Sequence, residues 1–356
     1  MDMKREYYED IELFKSGTIL FWSVVLLVAL FVAPQFLSNY HLYLCNLVLV
    51  HVIVAVGLNI LVGSTGQIAL GHAGFFAIGA YGTVLLMTEL SIPFFGAIII
   101  AAFIAAFFGF ILGLPALRLE GPYLAIATLA FGLAIMHIIG HTQLFGGRQG
   151  LMAPVFDIGI PQLGLSLELW TEKSKYYLIL GFTIVMTLFA INILKSRPGR
   201  AFVAIRDSDI AAEVIGINLT MYKTLAFAVS AFYAGIAGGL FAFVLGFFDP
   251  FTFNLILSII FLVMVVVGGL GSVMGSIAGA SVITYLWYDT FKNVGETPIV
   301  GDMITYLASQ FLTVSGMDNF NFIALGLVMI GIIIFEPLGI FGAWIRAKKY
   351  WKTWPF

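Results

Sequence analysis

Long apolar runs separated by short polar breaks fill most of the chain. Runs at 18–38, 42–62, 68–88, 92–114, 122–142, 176–194, 222–245, 253–267, 272–291 and 320–340 are candidates to cross about 30 Å of hydrocarbon as helices. Ten spans are expected. The third run and the eighth-to-ninth pair are crowded with glycine at their ends, which predicts broken or re-entrant segments there. One stretch breaks the pattern: Arg197 to Gly216, RPGRAFVAIRDSDIAAEVIG, is charged and lies between spans almost free of charge. Within it Phe202, Ile205, Ala212 and Ile215 share one broad helical face opposite Arg200, Arg206 and Asp209. Pro198 and Gly199 end the preceding span, Asp207 and Ser208 offer an N-cap at a bend, and Gly216 suits a C-terminal cap. The segment reads as one or two short amphipathic helices on the membrane surface, suited to touching a soluble partner. A charged inner loop with no partner is the alternative.

Composition fixes the class. With 61% hydrophobic residues, 10% charged residues and a mean hydropathy of +1.05, a soluble core could not cover its own apolar surface. The fold class is all-α, a polytopic transmembrane helical bundle. A net charge of −2 without a basic stripe argues against nucleic-acid binding. The single cysteine, Cys45, excludes an internal disulfide or a Cys-rich metal site. With the N-terminus cytoplasmic, 13 of the 17 Lys and Arg residues fall on the inner side and only Arg148, Lys173, Lys175 and Lys292 on the outer, the asymmetry of the positive-inside rule. This predicts a multi-pass protein of the cytoplasmic (inner) membrane with both termini cytoplasmic. The parts are an N-terminal tail at 1–17, a transmembrane domain at 18–345 and a C-terminal tail at 346–356. The domain carries an outer loop at 143–175 and a cytoplasmic loop at 195–222. The first span follows an acidic as well as a basic tail without a small-residue cleavage site, so it is expected to remain in the mature chain.

Polar groups inside apolar runs are the candidates for chemistry. In VGSTGQIALGHAGFFAIGAY, Gln67 and His72 sit near the start of a span and need partners or water, and Gly71 allows close backbone approach. Thr128 lies mid-span, either bonding back to its own helix or facing a pathway. Val267-Gly268-x-x-Gly271 echoes Val62-Gly63-x-x-Gly66, which suggests a weak internal repeat of two broken helices. Gln67, Gly71, His72, Thr128, Gly268 and Gly271 are therefore the candidate pathway residues, each with a packing role as its alternative. His137 and His141 share a helix face, but without a third ligand nearby no metal site is expected. No catalytic residue is assigned. The chain lacks GxxxxGK[ST], so it has no phosphate cradle of that kind.

The run GRAFVAIRDSDIAAEVIGINLTMYKTLAFAVSAFYAGIAGGLFAF (Gly199 to Phe243) resembles the coupling-loop region of branched-chain amino acid permeases of ATP-binding cassette importers, the M subunit family of the Liv system. GLNILVGSTGQIALGHAGFFAIGAY, LRLEGPYLAIATLAFG, VVVGGLGSVMGSIAGA and FEPLGIFG extend that resemblance along the chain. In this family the loop carries glutamate-Ala-Ala, three residues, then Gly; here Ala211, Ala212 and Gly216 match and Ile210 replaces the glutamate. Leu133 stands where relatives often have glutamate, and Phe145 where they have threonine in FGGRQGL. The resemblance implies that Arg206, Asp207, Asp209, Ala211, Ala212 and Gly216 couple the chain to an ATPase. It also implies a heterodimer with a homologous second permease subunit, two ATP-binding subunits and an extracytoplasmic amino-acid-binding protein docking on the outer loops, all within membrane lipid. This chain would bind no cofactor, with ATP and Mg on the partners. The implied function is translocation of Leu, Ile and Val driven by partner ATP hydrolysis. A urea or short-amide permease is the nearest alternative. An ion-coupled secondary carrier lacks its usual mid-span carboxylate, and a membrane enzyme would have only His137 and His141 to use.

Overall fold

The computed structural model describes residues 17–115, 119, 121–154, 158–160, 165–167, 171–290, 320–336 and 338–353. Its helices are α1 Gly17–Val32, α2 Asn39–Thr65, α3 His72–Thr88, α4 Phe94–Gly113, α5 Pro122–His141, α6 Glu172–Lys195, α7 Arg197–Asp207, α8 Asp209–Val214, α9 Leu219–Leu245, α10 Leu255–Gly268, α11 Val273–Tyr285, α12 Phe320–Phe335 and α13 Gly339–Thr353. Each of the ten expected apolar runs contains a helix. Five of these, α2, α4, α5, α6 and α9, are long and apolar enough to cross a membrane. Three of the helices beside the glycine clusters are shorter. At 1.5 Å per residue, α3, α10 and α11 reach only about 26, 21 and 20 Å, because residues 66–71 and 269–272 leave the helix. These are the broken segments that the glycine clusters predict.

Two boundaries differ from expectation. Pro198 lies in the first turn of α7 and starts that helix, where its missing N–H costs nothing, instead of merely ending α6. The C-terminal segment continues as the amphipathic α13 and is more than a tail.

Burial separates inner from outer helices. The apolar windows of α2 and α9 are 89% and 78% buried, whereas that of α5 is 22% buried, so α2 and α9 form the interior and α5 faces outward. Helix α9 packs against α4, α3 and α2. Its contact with α3 is backbone to backbone: a Cβ on Gly79 would collide with Gly235, the close approach that small residues permit between membrane helices.

The 143–175 loop is tied down at its start. Strand β1 (Leu151–Met152) pairs antiparallel with β4 (Phe247–Phe248), just beyond the end of α9, and β2 (Ile158–Ile160) pairs with β3 (Leu165–Leu167). Tyr81 of α3 stands edge-on to Phe248 at 4.9 Å and to Phe145 at 6.0 Å. The aromatic residue in the threonine position of FGGRQGL thus closes the end of the bundle. The 292–319 loop lies outside the described residues.

Candidate coupling site and helix breaks

The charged loop folds as two short helices with a corner at Ser208. That residue is extended (φ −167°), and its Oγ accepts from Ala211 N at 3.3 Å, which caps α8. Gly216 closes α8 with φ +87°, a conformation that a side chain would strain. Phe202, Ile205 and Ala212 are buried as expected. Ile215 is not: it is 71% exposed, because the corner at Ser208 starts a new helix and breaks the shared stripe. The exposed residues of α8 and its end are instead aliphatic, with Ile210 and Val214 77% and 82% exposed beside Ile215. Small residues occupy both sides, with Ala212 turned inward and Ala211 outward.

The loop charges bind this chain. Arg206 Nη1 donates to the Gly63 carbonyl at 3.2 Å, while its Nε and Nη2 donate to Asp207 Oδ1 at 3.2 and 3.0 Å. Asp209 Oδ2 accepts from Lys223 Nζ of α9 at 2.5 Å, with the Lys223 side chain only 10% exposed. Arg206 and Asp209 stay partly exposed opposite Phe202 and Ile205, as expected, but both also bond within the chain. The guanidinium reaches back to a helix end whose carbonyl lacks an intrahelical partner, and the carboxylate neutralises a nearly buried ammonium.

Arg206 reaches the point where the two glycine breaks meet. Gly66 caps α2 in the left-handed region (φ +72°), and Gly271 turns the α10–α11 break with φ +79°. Asn59, buried in α2, links them: its Nδ2 donates to the Ser272 carbonyl and its Oδ1 accepts from Gly271 N, both at 2.8 Å. A Cβ on Gly63 would collide with Gly271 N and Asn59 Oδ1. The two echoing motifs are in direct contact. Gly268 packs against the Gly275 backbone within the α10–α11 turn.

Beyond the junction, the 66–71 segment leads to the start of α3 inside the bundle. Leu70 N donates to Thr128 Oγ1 at 2.9 Å, Thr128 Oγ1 donates to the Ala125 carbonyl at 2.9 Å, and Ala73 N donates to Ser258 Oγ at 3.0 Å. Thr128 thus bonds to its own helix and also receives the break. Gly71 lies against the Thr128 carbonyl so closely that a Cβ would collide with it. His72 Nε2 and Ser230 Oγ lie 2.7 Å apart, which turns the imidazole toward α9.

A family model described as "Branched-chain amino acid transport system / permease component" matches residues 40–335. The chain belongs to this permease family. It is 35% identical over 280 residues to the high-affinity branched-chain amino acid transport system permease protein LivM of Salmonella typhimurium. It is 36% identical over the same length to LivM of Escherichia coli, and each alignment covers 72% of this chain and 65% of the relative. The chain thus spans about two thirds of the length of those curated relatives. It is also 25% identical over 311 residues, 85% of this chain and 92% of the relative, to the probable permease LivH of Methanocaldococcus jannaschii. No solved structure gives a significant match. These relatives are transport subunits, not enzymes.

In this chain of the permease family, the charged loop and the α2 end border an open cavity of about 430 Å³ lined by Gln67, Gly121, Arg206, Ser208, Asp209 and Ile210, among others. Gln67 is buried, and neither its Oε1 nor its Nε2 has a partner. Of the candidate pathway residues it is the one left with unspent hydrogen-bonding capacity on both polar atoms. Further in, Leu70, Ala73, Gly132, Asn254 and Ser258 border a crevice of about 10 Å³, room for about one water. His141 Nδ1 donates back to the His137 carbonyl at 2.9 Å.

Sequence reasoning passed over Asn59, Lys223, Ser230 and Ser258. Asn59 carried a signal: it is the only polar side chain in AVGLNILVG and stands one helical turn before Gly63. His51 was also missed. It is buried in α2, with Nδ1 3.0 Å from Thr284 Oγ1 and its ring 5.7 Å from Phe261.

Proposed function

We propose that the chain is a permease subunit of an ATP-binding cassette importer that moves Leu, Ile and Val across the cytoplasmic membrane. A homologous second permease would complete the pathway, two ATP-binding subunits carrying ATP and Mg would supply energy, and an extracytoplasmic binding protein would deliver the amino acid to the outer loops. The reading places both termini and the coupling loop in the cytoplasm. The observation that carries it is the aliphatic knob of Ile210, Val214 and Ile215, exposed on a loop that Arg206 bonds to the Gly63 carbonyl at the end of α2, where Asn59 in turn holds the α10–α11 break. An exposed apolar cluster on a charged loop suits insertion into a partner's groove.

In this proposal, partner closure displaces α8, and Arg206 and the Lys223–Asp209 pair carry the displacement into the ends of α2 and α9. Asn59 carries it on to the α10–α11 break. The breaks then move between two packed arrangements, which the partner must bind unequally. Passage is mainly apolar, and the amino acid's charged ends meet helix termini and backbone groups of the breaks, with the Gln67 amide beside them. The test is reconstitution with the matching ATPases and binding protein, in which leucine should stimulate ATP hydrolysis and uptake. Stimulation by urea or a short amide instead would assign the chain to that transport class, and uptake without ATP that an ionophore abolishes would reject the importer altogether.

A further inference from the structure

The last helix has two unlike faces. Ile340, Trp344, Ala347 and Trp351 recur in register on one side of α13, while Arg346, Lys349 and Lys352 fall opposite. From Gly339 to Phe356 the sequence holds four basic residues and no acidic one. Trp344 is 64% exposed, so the aromatic start of the apolar side is not covered by the bundle. Only three residues lie between Phe335, the end of the apolar α12, and Gly339, and Arg346 is ion-paired with Glu336 at the corner. The chain therefore leaves a hydrophobic helix and immediately begins one with tryptophan and tyrosine among lysines, the composition of a membrane–water boundary.

The first turn of α13 also touches the coupling apparatus. Gly339, at φ +69°, lies against the Gly269 and Val267 backbones, and a Cβ on Gly269 would fall 2.7 Å from the Leu338 carbonyl. Gly269 belongs to the same break that presents Gly271 to Asn59.

We propose that α13 lies in the lipid leaflet on the side of the coupling loop and binds anionic phospholipid headgroups through Lys348, Lys349 and Lys352. Its first turn, with Ile340, rests on the bundle at the α10–α11 break, and from Trp344 onward its apolar side inserts among the upper acyl segments. Lipid is the occupant because the basic charge is unmixed with acid and is continuous with the end of a hydrophobic helix. The proposal rests on the transport reading only for naming that leaflet cytoplasmic.

The test uses the full chain in lipid nanodiscs, with Cys45→Ser and a nitroxide on Ala347→Cys. Accessibility to oxygen and to a water-soluble nickel complex reports immersion in discs of phosphatidylcholine alone or with phosphatidylglycerol. Immersion is expected in the anionic discs and should be lost in neutral ones. Each lysine contributes about fivefold to the preference, so Lys348→Gln/Lys349→Gln/Lys352→Gln, which keeps the Arg346–Glu336 pair, should lower it about a hundredfold. Raising salt to about 1 M should release the unmodified helix, since screening then acts within about 3 Å. Equal immersion in neutral discs, or no effect of the triple substitution and of salt, overturns the proposal. Shielding that appears only on adding ATP-binding subunits overturns it in favour of a protein-docking helix. Leucine-stimulated hydrolysis measured in the same discs reports separately on the transport reading.

Discussion

Asn59→Ala tests the junction of the two breaks directly. The substitution removes two hydrogen bonds at 2.8 Å, one donated to the Ser272 carbonyl and one accepted from Gly271 N, and leaves a small space beside Gly63. At about 1 kcal/mol per bond the joined arrangement loses about 2 kcal/mol, a shift of about thirtyfold in the equilibrium between joined and separated breaks. Asn59→Asp is the informative companion: it keeps the acceptor for Gly271 N but turns an oxygen toward the Ser272 carbonyl, so it should lose at least as much. Arg206 would still hold the α2 end, but the α10–α11 break would no longer follow it. The assay is leucine moved per ATP hydrolysed in proteoliposomes, alongside a thermal unfolding midpoint. Hydrolysis should persist while transport per ATP falls severalfold. If both variants unfold and transport like the unmodified chain, the junction transmits nothing and the reasoning fails.

Other substitutions probe separate links. Ile210→Asp/Val214→Asp should leave the chain folded, since both side chains are exposed, yet abolish copurification of ATP-binding subunits; retained copurification would reject the aliphatic knob as the docking surface. Arg206→Lys keeps the charge but cannot bond both Gly63 and Asp207 with the same fork, so it should lower coupled hydrolysis nearly as far as Arg206→Gln. Lys223→Met should destabilise by about 1–3 kcal/mol by stripping Asp209 of its partly buried partner, and Lys223→Met/Asp209→Leu should recover much of that, measured by urea or thermal unfolding. Gly71→Val should lower expression and the unfolding midpoint sharply, since its side chain would meet the Thr128 carbonyl.

The helices were legible because an apolar run in a membrane has few alternatives to an intrahelical backbone ladder. The breaks at 66–71 and 269–272 were legible as glycine clusters. Their mutual contact was visible only as a repeated Val-Gly-x-x-Gly, since two residues 212 apart reveal nothing of their distance to a single sequence. The loop was legible as one or two capped amphipathic helices, and its buried stripe holds at Phe202, Ile205 and Ala212 but fails at Ile215. A wheel drawn through Ser208 treats α7 and α8 as one helix, and it cannot show that a long guanidinium folds back to Gly63 or that Lys223 waits for Asp209. Thr128 was readable in kind, as a hydroxyl that bonds its own helix, but its second role needed the position of Leu70 N.

Helix α9 runs unbroken for 27 residues, about 40 Å at the usual rise, with no proline along its length. Near one end Lys223 grips Asp209 of the charged loop, and just past the other Phe247 and Phe248 form a strand with the 143–175 loop. Such a rod cannot shorten to absorb a push. If the proposed function holds, cargo handover at one face and fuel consumption at the other would be joined by a strut of fixed length, and neither event could proceed without straining the other.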